Sequence, residues 1–400
     1  MEDKILGKKM KVYDLAVIFM VMQVMLDRIT YIEGDTLSKL FTVASLGLFV
    51  LVIVFENTYT PAQVAVIGIV GAVALYSGMQ MGEYFLVMTV VLSIASLEKD
   101  TERTITIMHK VKMLFVVISV IWYVCFEIIP GKEQLTIITG VHNPHKFGFT
   151  NANAFALVVT WMIFERVYLS FDKMKPRHII ALAISGPVIY YLTACDTAMY
   201  VLIFATLVIW VCRLGWVTKI MTFGSHFVFG AFALFNVFCV YYYAHKSLRL
   251  HNFLMDLDDL LSARIRETAQ IYSLYGPTAL GQEVDLGGEV AYDTYYRITT
   301  LICDGLFSYL YVCLGYINTI ILVVMIFYTA YQKKKRDCIF IFIYTLYAIM
   351  ETHGLNAYFA FPILIYQRDF FKAFNRVKKK EEEAVSYERT DQNSSCRVNG

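Results

Sequence analysis

The residues best suited to chemistry lie in a charged stretch that begins at Leu260 and reads LLSARIRETAQIYSLYGPTALGQE. On a helical wheel of about 100° per residue, Arg264 shares an apolar sector with Leu260 and Thr268, whereas Arg266 points to the opposite side. An arginine on an apolar face needs a compensating partner, and a phosphate fits because the planar guanidinium binds two oxygens at once. The pattern predicts one amphipathic helix that ends at Gly276, with Arg264 directed at an anion. The alternative is an interfacial helix whose arginines both extend to lipid headgroups.

A second polar group lies in HNPHKFGFTNANAF, which begins at His142. His142, His145 and Lys146 form a cationic cluster, and Asn151 and Asn153 follow it. Two histidines at this spacing also suit a metal, but no third ligand stands near them, so we predict no metal site. A purely structural role for both histidines stays open.

The composition places these residues in a membrane protein. The chain has 400 residues, of which 58% are hydrophobic, 15% aromatic and only 17% charged. Soluble domains have roughly a quarter charged residues, so a polytopic membrane protein is expected. About twelve apolar runs are long enough to be candidate spans. Their centres lie near Phe19, Leu48, Ile69, Val90, Val117, Val158, Ile184, Ala205, Ala231, Tyr316, Ile343 and Phe361.

The basic residues predict the orientation of these spans. With twelve spans, every basic group falls on one side, which the lysine and arginine bias of short loops identifies as the cytoplasm. These groups are Lys8–Lys11, Lys99–Lys112, Arg166–Arg177, Arg213–Lys219, Lys333–Arg336 and Lys372–Lys380. We therefore expect an all-α protein of the cell membrane with both termini in the cytoplasm. Its two larger outer loops cover about residues 130–150 and 245–296, and the second contains the amphipathic helix.

The two ends of the chain are interpreted separately from the loops. The N-terminal segment leads into the first apolar run without a small-residue cleavage site, so we expect this span to be retained. Residues 1–377 are expected to form one transmembrane domain. Residues 378–400 are charged and polar, and we predict a disordered cytoplasmic tail. The scattered cysteines predict neither a disulfide framework nor a metal centre.

Together these segments resemble the oligosaccharide repeat-unit polymerases (Wzy-type) of bacterial capsule and exopolysaccharide pathways, which are related to O-antigen polymerases. The resemblance is carried by NPHKFGFTNANAF, LLSARI with YSLYGPTALGQE, YDTYYRITTLICDGLF and ETHGLNAYFAFPILI. Each piece is short and degenerate, and the LLSARI piece with its following YG and LGQ is the most specific. In one departure, Asp196 stands where the family commonly has the arginine of a Ser-Arg-Thr triplet.

The resemblance implies a glycosyltransferase that joins repeat units carried on undecaprenyl pyrophosphate at the outer face. It implies no cofactor and no nucleic-acid partner, but contact with membrane lipid and cooperation with a flippase and a chain-length regulator. The leaving pyrophosphate would be stabilised by Arg264, Lys146 and Arg297. The base for the attacking hydroxyl is left open among Asp293, Glu351, His142 and His353. The remaining candidate substrate contacts are His145, Asn151, Asn153, Arg266, Tyr275 and Asn356.

Three other functions are weighed against polymerisation. A glycan ligase of the same superfamily uses the same lipid pyrophosphate donor, so the sequence separates the two poorly. A polysaccharide transporter or flippase is disfavoured because there is no evident pseudo-repeat and the charges concentrate outside the apolar runs. A non-catalytic sensor or scaffold leaves the clustered outer cations without a role.

Overall fold

The protein is described by a computed structural model covering residues 11–29, 35–130, 144–245, 250–290, 296 and 299–375. Within these ranges the regular secondary structure is helical, and the β-pairing consists of two isolated antiparallel bridges, Ile29 with Phe149 and Glu289 with Thr300. The predicted all-α class is confirmed. His142, Asp293, Arg297 and the tail of residues 378–400 lie outside the described ranges.

The first half of the chain forms eight helices that are joined mostly by short turns. They are α1 Val12–Leu26, α2 Asp35–Phe55, α3 Pro61–Met81, α4 Phe85–Ala95, α5 Thr101–Tyr123, α6 Ala152–Ser170, α7 Pro176–Thr193 and α8 Asp196–Val211. Their ends follow ordinary capping chemistry. The Thr60 side chain accepts from the backbone of Gln63 to begin α3, and Gly82 ends that helix in a left-handed conformation.

The second half alternates helices with longer irregular segments. Its helices are α9 Gly215–Gly224, α10 Val228–Ala244, α11 His251–Leu260, α12 Arg264–Tyr275, α13 Tyr316–Tyr331, α14 Lys335–Met350 and α15, residues 362–375. A short helical turn, Leu306–Ser308, continues into one π-helical turn, Tyr309–Cys313, before α13.

Several helices are long and apolar enough to cross a membrane. Among the described residues, four such helices cover Thr36–Phe55, Pro61–Met81, Thr101–Ile128 and Ala152–Lys173. The pair α9 and α10, bent by 54°, makes a fifth if it is one span. Eleven of the twelve predicted run centres lie within a helix, and Phe361 directly precedes α15. A helical membrane protein is supported, whereas the number of twelve spans stays a prediction.

Helix α6 lies at the centre of the bundle. Of its most apolar stretch 61% is buried inside the protein, against 17–22% for α2, α3 and α5. Trp161 of α6 packs edge-on against Tyr347 of α14 and Phe361, with ring centroids 4.9 and 5.9 Å apart. The outer helices therefore present apolar side chains away from the protein, as expected for contact with lipid tails.

Among the described residues, loops that carry several of the basic groups meet at one end of the bundle, which we call the basic end. There Arg336 pairs with Glu102, Lys99 pairs with Glu56, and Lys334 pairs with Asp369. The guanidinium of Arg336 also lies 4.0 Å from the centroid of the Tyr168 ring. Because α1, α6 and α14 each have one terminus here, their other termini lie together at the opposite end.

The stretch around Arg264 departs from the prediction of one helix. It forms α11 and α12, separated by a turn in which Ser262 and Ala263 have φ angles of 54° and 72°. The break has a local cause, because one carboxylate oxygen of Asp258 accepts from the backbone N–H groups of Ile265 and Arg266, both at 2.9 Å. The predicted end of the helix before Gly276 is confirmed.

Breaking the helix changes which residues share a face. Leu260, predicted to lie on the buried face, is 66% exposed. Gln270, which lies on the same side of that helical wheel as Arg266, is buried. The single helical wheel was therefore wrong for the stretch as a whole, because the left-handed turn rotates α12 relative to α11.

Candidate functional site

Arg264 begins α12 and lies between two carboxylates. Its Nη2 atom is 3.1 Å from Oδ2 of Asp304, and its Nη1 atom is 3.5 Å from Oε2 of Glu267. The arginine side chain is 18% exposed, so its guanidinium is accessible but largely surrounded by protein. These carboxylates are the compensating partners that an arginine in this setting needs, and the predicted contact of Arg264 with a phosphate stays a prediction.

Glu351 directly follows α14 and is buried close to this arginine. Its Oε1 atom accepts a hydrogen bond of 3.1 Å from the hydroxyl of Thr197, in the first turn of α8. The pKa of Glu351 is raised to about 7. Burial is the largest cause and the nearby Asp304 adds to it, whereas Arg264 and Arg28 oppose the shift. Glu351 is therefore suited to exchange a proton near neutral pH.

Glu267 is the second carboxyl group of this region with a shifted pKa. Burial raises its pKa to about 7, while the adjacent Arg264 opposes the shift. A protonated Glu267 would no longer pair with Arg264. The arginine could then exchange a carboxylate partner for another anion without moving its backbone.

Arg28 and His353 complete the group around an aromatic side chain. The guanidinium of Arg28 lies 5.0 Å from the centroid of the Phe359 ring, and the His353 ring lies 5.1 Å from that ring. Nδ1 of His353 is 3.8 Å from Oε2 of Glu351. Burial lowers the pKa of His353, and Arg28 lowers it further, so the histidine is neutral at pH 7.

These side chains come from five separated segments, and we call them the Arg264 cluster. Arg28 follows α1, and its carbonyl accepts a hydrogen bond of 2.8 Å from the N–H of Thr150. This contact and the bridge from Ile29 to Phe149 attach the end of α1 to the start of α6. The cluster consists of Arg28, Thr197, Arg264, Glu267, Asp304, Glu351 and His353.

The floor of the cluster is a buried, mostly non-helical segment, residues 351–361. Its backbone is held by side chains of three helices. Tyr344 donates to the Gly354 carbonyl at 2.9 Å, and Thr89 accepts from the N–H of Ala357 at 3.1 Å. Lys112 donates to the Phe359 carbonyl at 3.3 Å. Irregular backbone is tolerated inside a membrane protein when the protein itself satisfies its polar groups.

Arg266 does not point freely into solvent, contrary to prediction. Its Nε atom is 3.4 Å from Oδ2 of Asp258, whose side chain is fully buried. Because the other oxygen of Asp258 holds the start of α12, the Arg266 pair stabilises the turn that presents Arg264. The two arginines differ in their partners rather than in exposure, which is 24% for Arg266 and 18% for Arg264.

The other predicted site residues that the structure describes lie outside these contacts. His145 is buried, and its Nδ1 atom is 3.0 Å from the hydroxyl of Tyr123. Asn151 caps α6 through a hydrogen bond of 2.7 Å to the N–H of Ala154. Asn356 accepts from the N–H of Tyr358 and so stabilises the floor segment. The exposed residues of this set are Lys146, Asn151, Asn153 and Tyr275.

Sequence reasoning missed four members of the cluster. Arg28 could have been found from the sequence, because it follows an apolar run on the predicted outer side. Lysine and arginine are uncommon in short loops on that side. Asp304 lies within the quoted CDGLF stretch, but an isolated acid there has no distinguishing pattern. Glu267 and Thr197 acquire their positions only through the fold.

The described residues contain no group of three or more histidine, cysteine, aspartate or glutamate side chains arranged to hold a metal ion. The chemistry available to the Arg264 cluster is that of guanidinium groups beside a carboxyl group that titrates near neutrality.

Comparison with protein-family models, with curated proteins and with solved structures finds no match to this chain.

Proposed function

We propose that the chain is a membrane glycosyltransferase that polymerises oligosaccharide repeat units linked to undecaprenyl pyrophosphate on the outer face of the cell membrane. The observation that carries this proposal is the convergence of three sequence stretches on one cluster. Arg264 comes from LLSARI, Asp304 from CDGLF, and Glu351 from ETHGLN. Each stretch contributes to the resemblance to repeat-unit polymerases.

In the proposed reaction, a hydroxyl of one lipid-linked unit attacks the anomeric carbon of a second chain. The proton of this hydroxyl passes to Glu351, the new glycosidic bond forms, and the bond to the lipid pyrophosphate breaks. Glu351 is favoured as the base because burial raises its pKa to about 7, whereas the lowered pKa of His353 makes that imidazole a weaker base.

The leaving pyrophosphate needs cationic partners as its bond to the sugar breaks. Arg264 and Arg28 are the guanidinium groups whose charges lower the pKa of Glu351. A guanidinium can bind two phosphate oxygens, and this contact strengthens as charge develops on the leaving group. Protonation of Glu267 would release Arg264 for this contact.

Polymerisation is tested with protein purified in lipid nanodiscs and lipid-linked units isolated from a strain that lacks the chain. The proposal predicts a ladder of products that differ by one repeat unit, and none from the double variant Arg264→Ala, Glu351→Gln. Transfer of finished glycan to another acceptor without a ladder would indicate a ligase. Intact lipid-linked units would contradict glycosyl transfer.

The proposed orientation has both termini in the cytoplasm and the Arg264 cluster outside. Glu283, which is exposed, and Lys335, which is exposed at the basic end, provide matched positions for single cysteines. A membrane-impermeant maleimide applied to whole cells should label the cysteine at position 283, and the one at 335 only after permeabilisation. The reverse pattern would contradict this orientation.

A further inference from the structure

Lys112 was assigned from the sequence to a basic cytoplasmic group, but the structure places it inside the bundle. It lies in the middle of α5, and its ammonium pairs with a carboxylate oxygen of Glu165 from α6. The side chains are 3% and 0% exposed. A buried ion pair between membrane-length helices is expensive to desolvate and is therefore not explained by stability alone.

The ammonium of Lys112 makes a second contact that leads to the Arg264 cluster. It donates to the carbonyl of Phe359 at 3.3 Å. The ring of the same residue lies 5.0 Å from the Arg28 guanidinium and 5.1 Å from the His353 ring. One residue thus separates the buried ion pair from two members of the cluster.

Glu165 orients the ammonium group of Lys112. Its second carboxylate oxygen is 3.4 Å from Nδ1 of His109, and neither of these two atoms has a hydrogen-bond partner among the described residues. Removal of the Glu165 carboxylate would leave the Lys112 ammonium without the partner that aims it at the Phe359 carbonyl. The pair therefore holds a donor at one fixed position under residues 351–361.

We propose that Lys112 is a positioning residue for the proposed transfer reaction, with Glu165 as its support. By fixing the Phe359 carbonyl, Lys112 fixes the ring against which Arg28 and His353 pack, and so the direction of the Arg28 guanidinium. This inference rests on the proposed function for its effect on transfer, whereas its effect on the floor segment is independent of that function.

The test replaces both charges, because an apolar pair of similar volume avoids leaving one buried charge alone. The variant is Lys112→Met with Glu165→Leu, and the matched control is Arg103→Met with Asp14→Leu. Arg103 and Asp14 also pair between helices, α5 and α1, but at the opposite end of α5 from the Arg264 cluster. Lys112→Gln, which keeps a neutral donor, serves as a second variant if the double variant does not reach the membrane.

Two readouts are compared at equal membrane abundance. The first is transfer from isolated lipid-linked units, for which we expect a KM increase or a rate loss of about tenfold to hundredfold, because small misplacements of a binding group have effects of this size. The second is maleimide labelling of Thr352→Cys in a background where Cys125 and Cys396 are serine. Cys125 is the exposed cysteine of the described part, and the others there are buried.

Faster labelling at position 352 together with impaired transfer, both absent in the control pair, is the expected result. Parental labelling and parental transfer in the Lys112 variant would overturn the proposal. Faster labelling with parental transfer would overturn it as well, since the segment would then move without affecting the reaction. If the unsubstituted protein transfers nothing, the proposed function fails, and labelling alone decides whether Lys112 fixes the floor segment.

Discussion

The two ends of the helix bundle use charged residues differently. At the basic end, the pair of Arg336 and Glu102 lies near solvent, with side chains 25% and 54% exposed, although Asp369, the partner of Lys334, is buried. In the Arg264 cluster, one arginine contacts two carboxylates, and Glu351 is buried beside a hydroxyl. Burial raises the pKa of Glu351 and of Glu267 to about 7.

The ion pairs at the basic end connect loops, whereas the ionisable groups of the Arg264 cluster are suited to take part in a reaction. An exposed pair keeps its protonation state near pH 7 and contributes little free energy. A buried carboxyl group with a pKa near neutrality changes its charge, and with it the partners of the neighbouring arginine. Substitutions in the Arg264 cluster are therefore expected to change the reaction, and those at the basic end to leave it intact.

The largest effect is expected for Arg264→Ala. Losing one charged contact to a developing anion reduces rates by about a hundredfold to a thousandfold. Arg264→Lys keeps the charge but loses the two-pronged geometry, so transfer should still fall substantially. Polymer formation in a deletion strain, normalised to membrane abundance, measures both. If the Arg264→Ala variant formed as much polymer as the parent, Arg264 would not belong to the functional site.

A smaller and different effect is expected for Arg266→Ala. The substitution removes the charged partner of the buried Asp258 but leaves the two backbone hydrogen bonds of that carboxylate in place. We expect a loss of about 1–3 kcal/mol in stability, and lower abundance, from the uncompensated group. The transfer rate per molecule should fall much less than with Arg264→Ala. Thermal unfolding in nanodiscs and the transfer rate per molecule are measured for both variants. If Arg266→Ala lost as much rate as Arg264→Ala at unchanged stability, the different roles assigned to the two arginines would be refuted.

The pH dependence of stability provides a third comparison. Because the pKa of Glu351 rises from 4.5 to about 7 on folding, the folded protein holds a proton that the unfolded chain releases between these values. The contribution of this group is present below pH 4.5 and is lost as the pH rises through about 7. Glu351→Gln should therefore lose less stability than the parent between pH 4.5 and 7.5 in thermal unfolding. Parallel curves would argue against the raised pKa.

The smallest effect is expected at the basic end. Arg336→Ala breaks a pair with the half-exposed Glu102 and a contact with the Tyr168 ring. Exposed pairs and cation–π contacts each contribute about 1 kcal/mol or less. The melting temperature should decrease slightly and polymer formation should stay parental. A severe loss of polymer at normal abundance would extend the functional site to this end.

The sequence predicted the helices well because apolar runs of membrane length have a strong periodic and compositional signal. Eleven of the twelve predicted run centres lie within a helix, and Gly276 ends α12 as expected. The prediction failed at Ser262 and Ala263, where the side chain of Asp258 ends one helix and begins another. A helical wheel cannot represent such a break, because it assumes one continuous axis.

The candidate site was predicted in part. Arg264, Glu351 and His353 were identified from residue type and motif, and the structure brings them together. Arg28 and Asp304 were missed, since their proximity depends on contacts between segments far apart in the chain. Lys112 was misassigned because the sequence shows a lysine near a basic loop but not the Glu165 that faces it across a helix interface.

The most direct test of the central claim is the pH dependence of transfer by the purified protein and by its Glu351→Gln variant. If Glu351 accepts the proton of the attacking hydroxyl, the parental rate should rise with pH through a midpoint near 7. At higher pH the rate should fall, because deprotonated Glu267 pairs with Arg264. The variant should lose this rise, and its rate should be lower by about a hundredfold or more. A variant that keeps the parental rate and the same midpoint would contradict the assignment of Glu351 as the base.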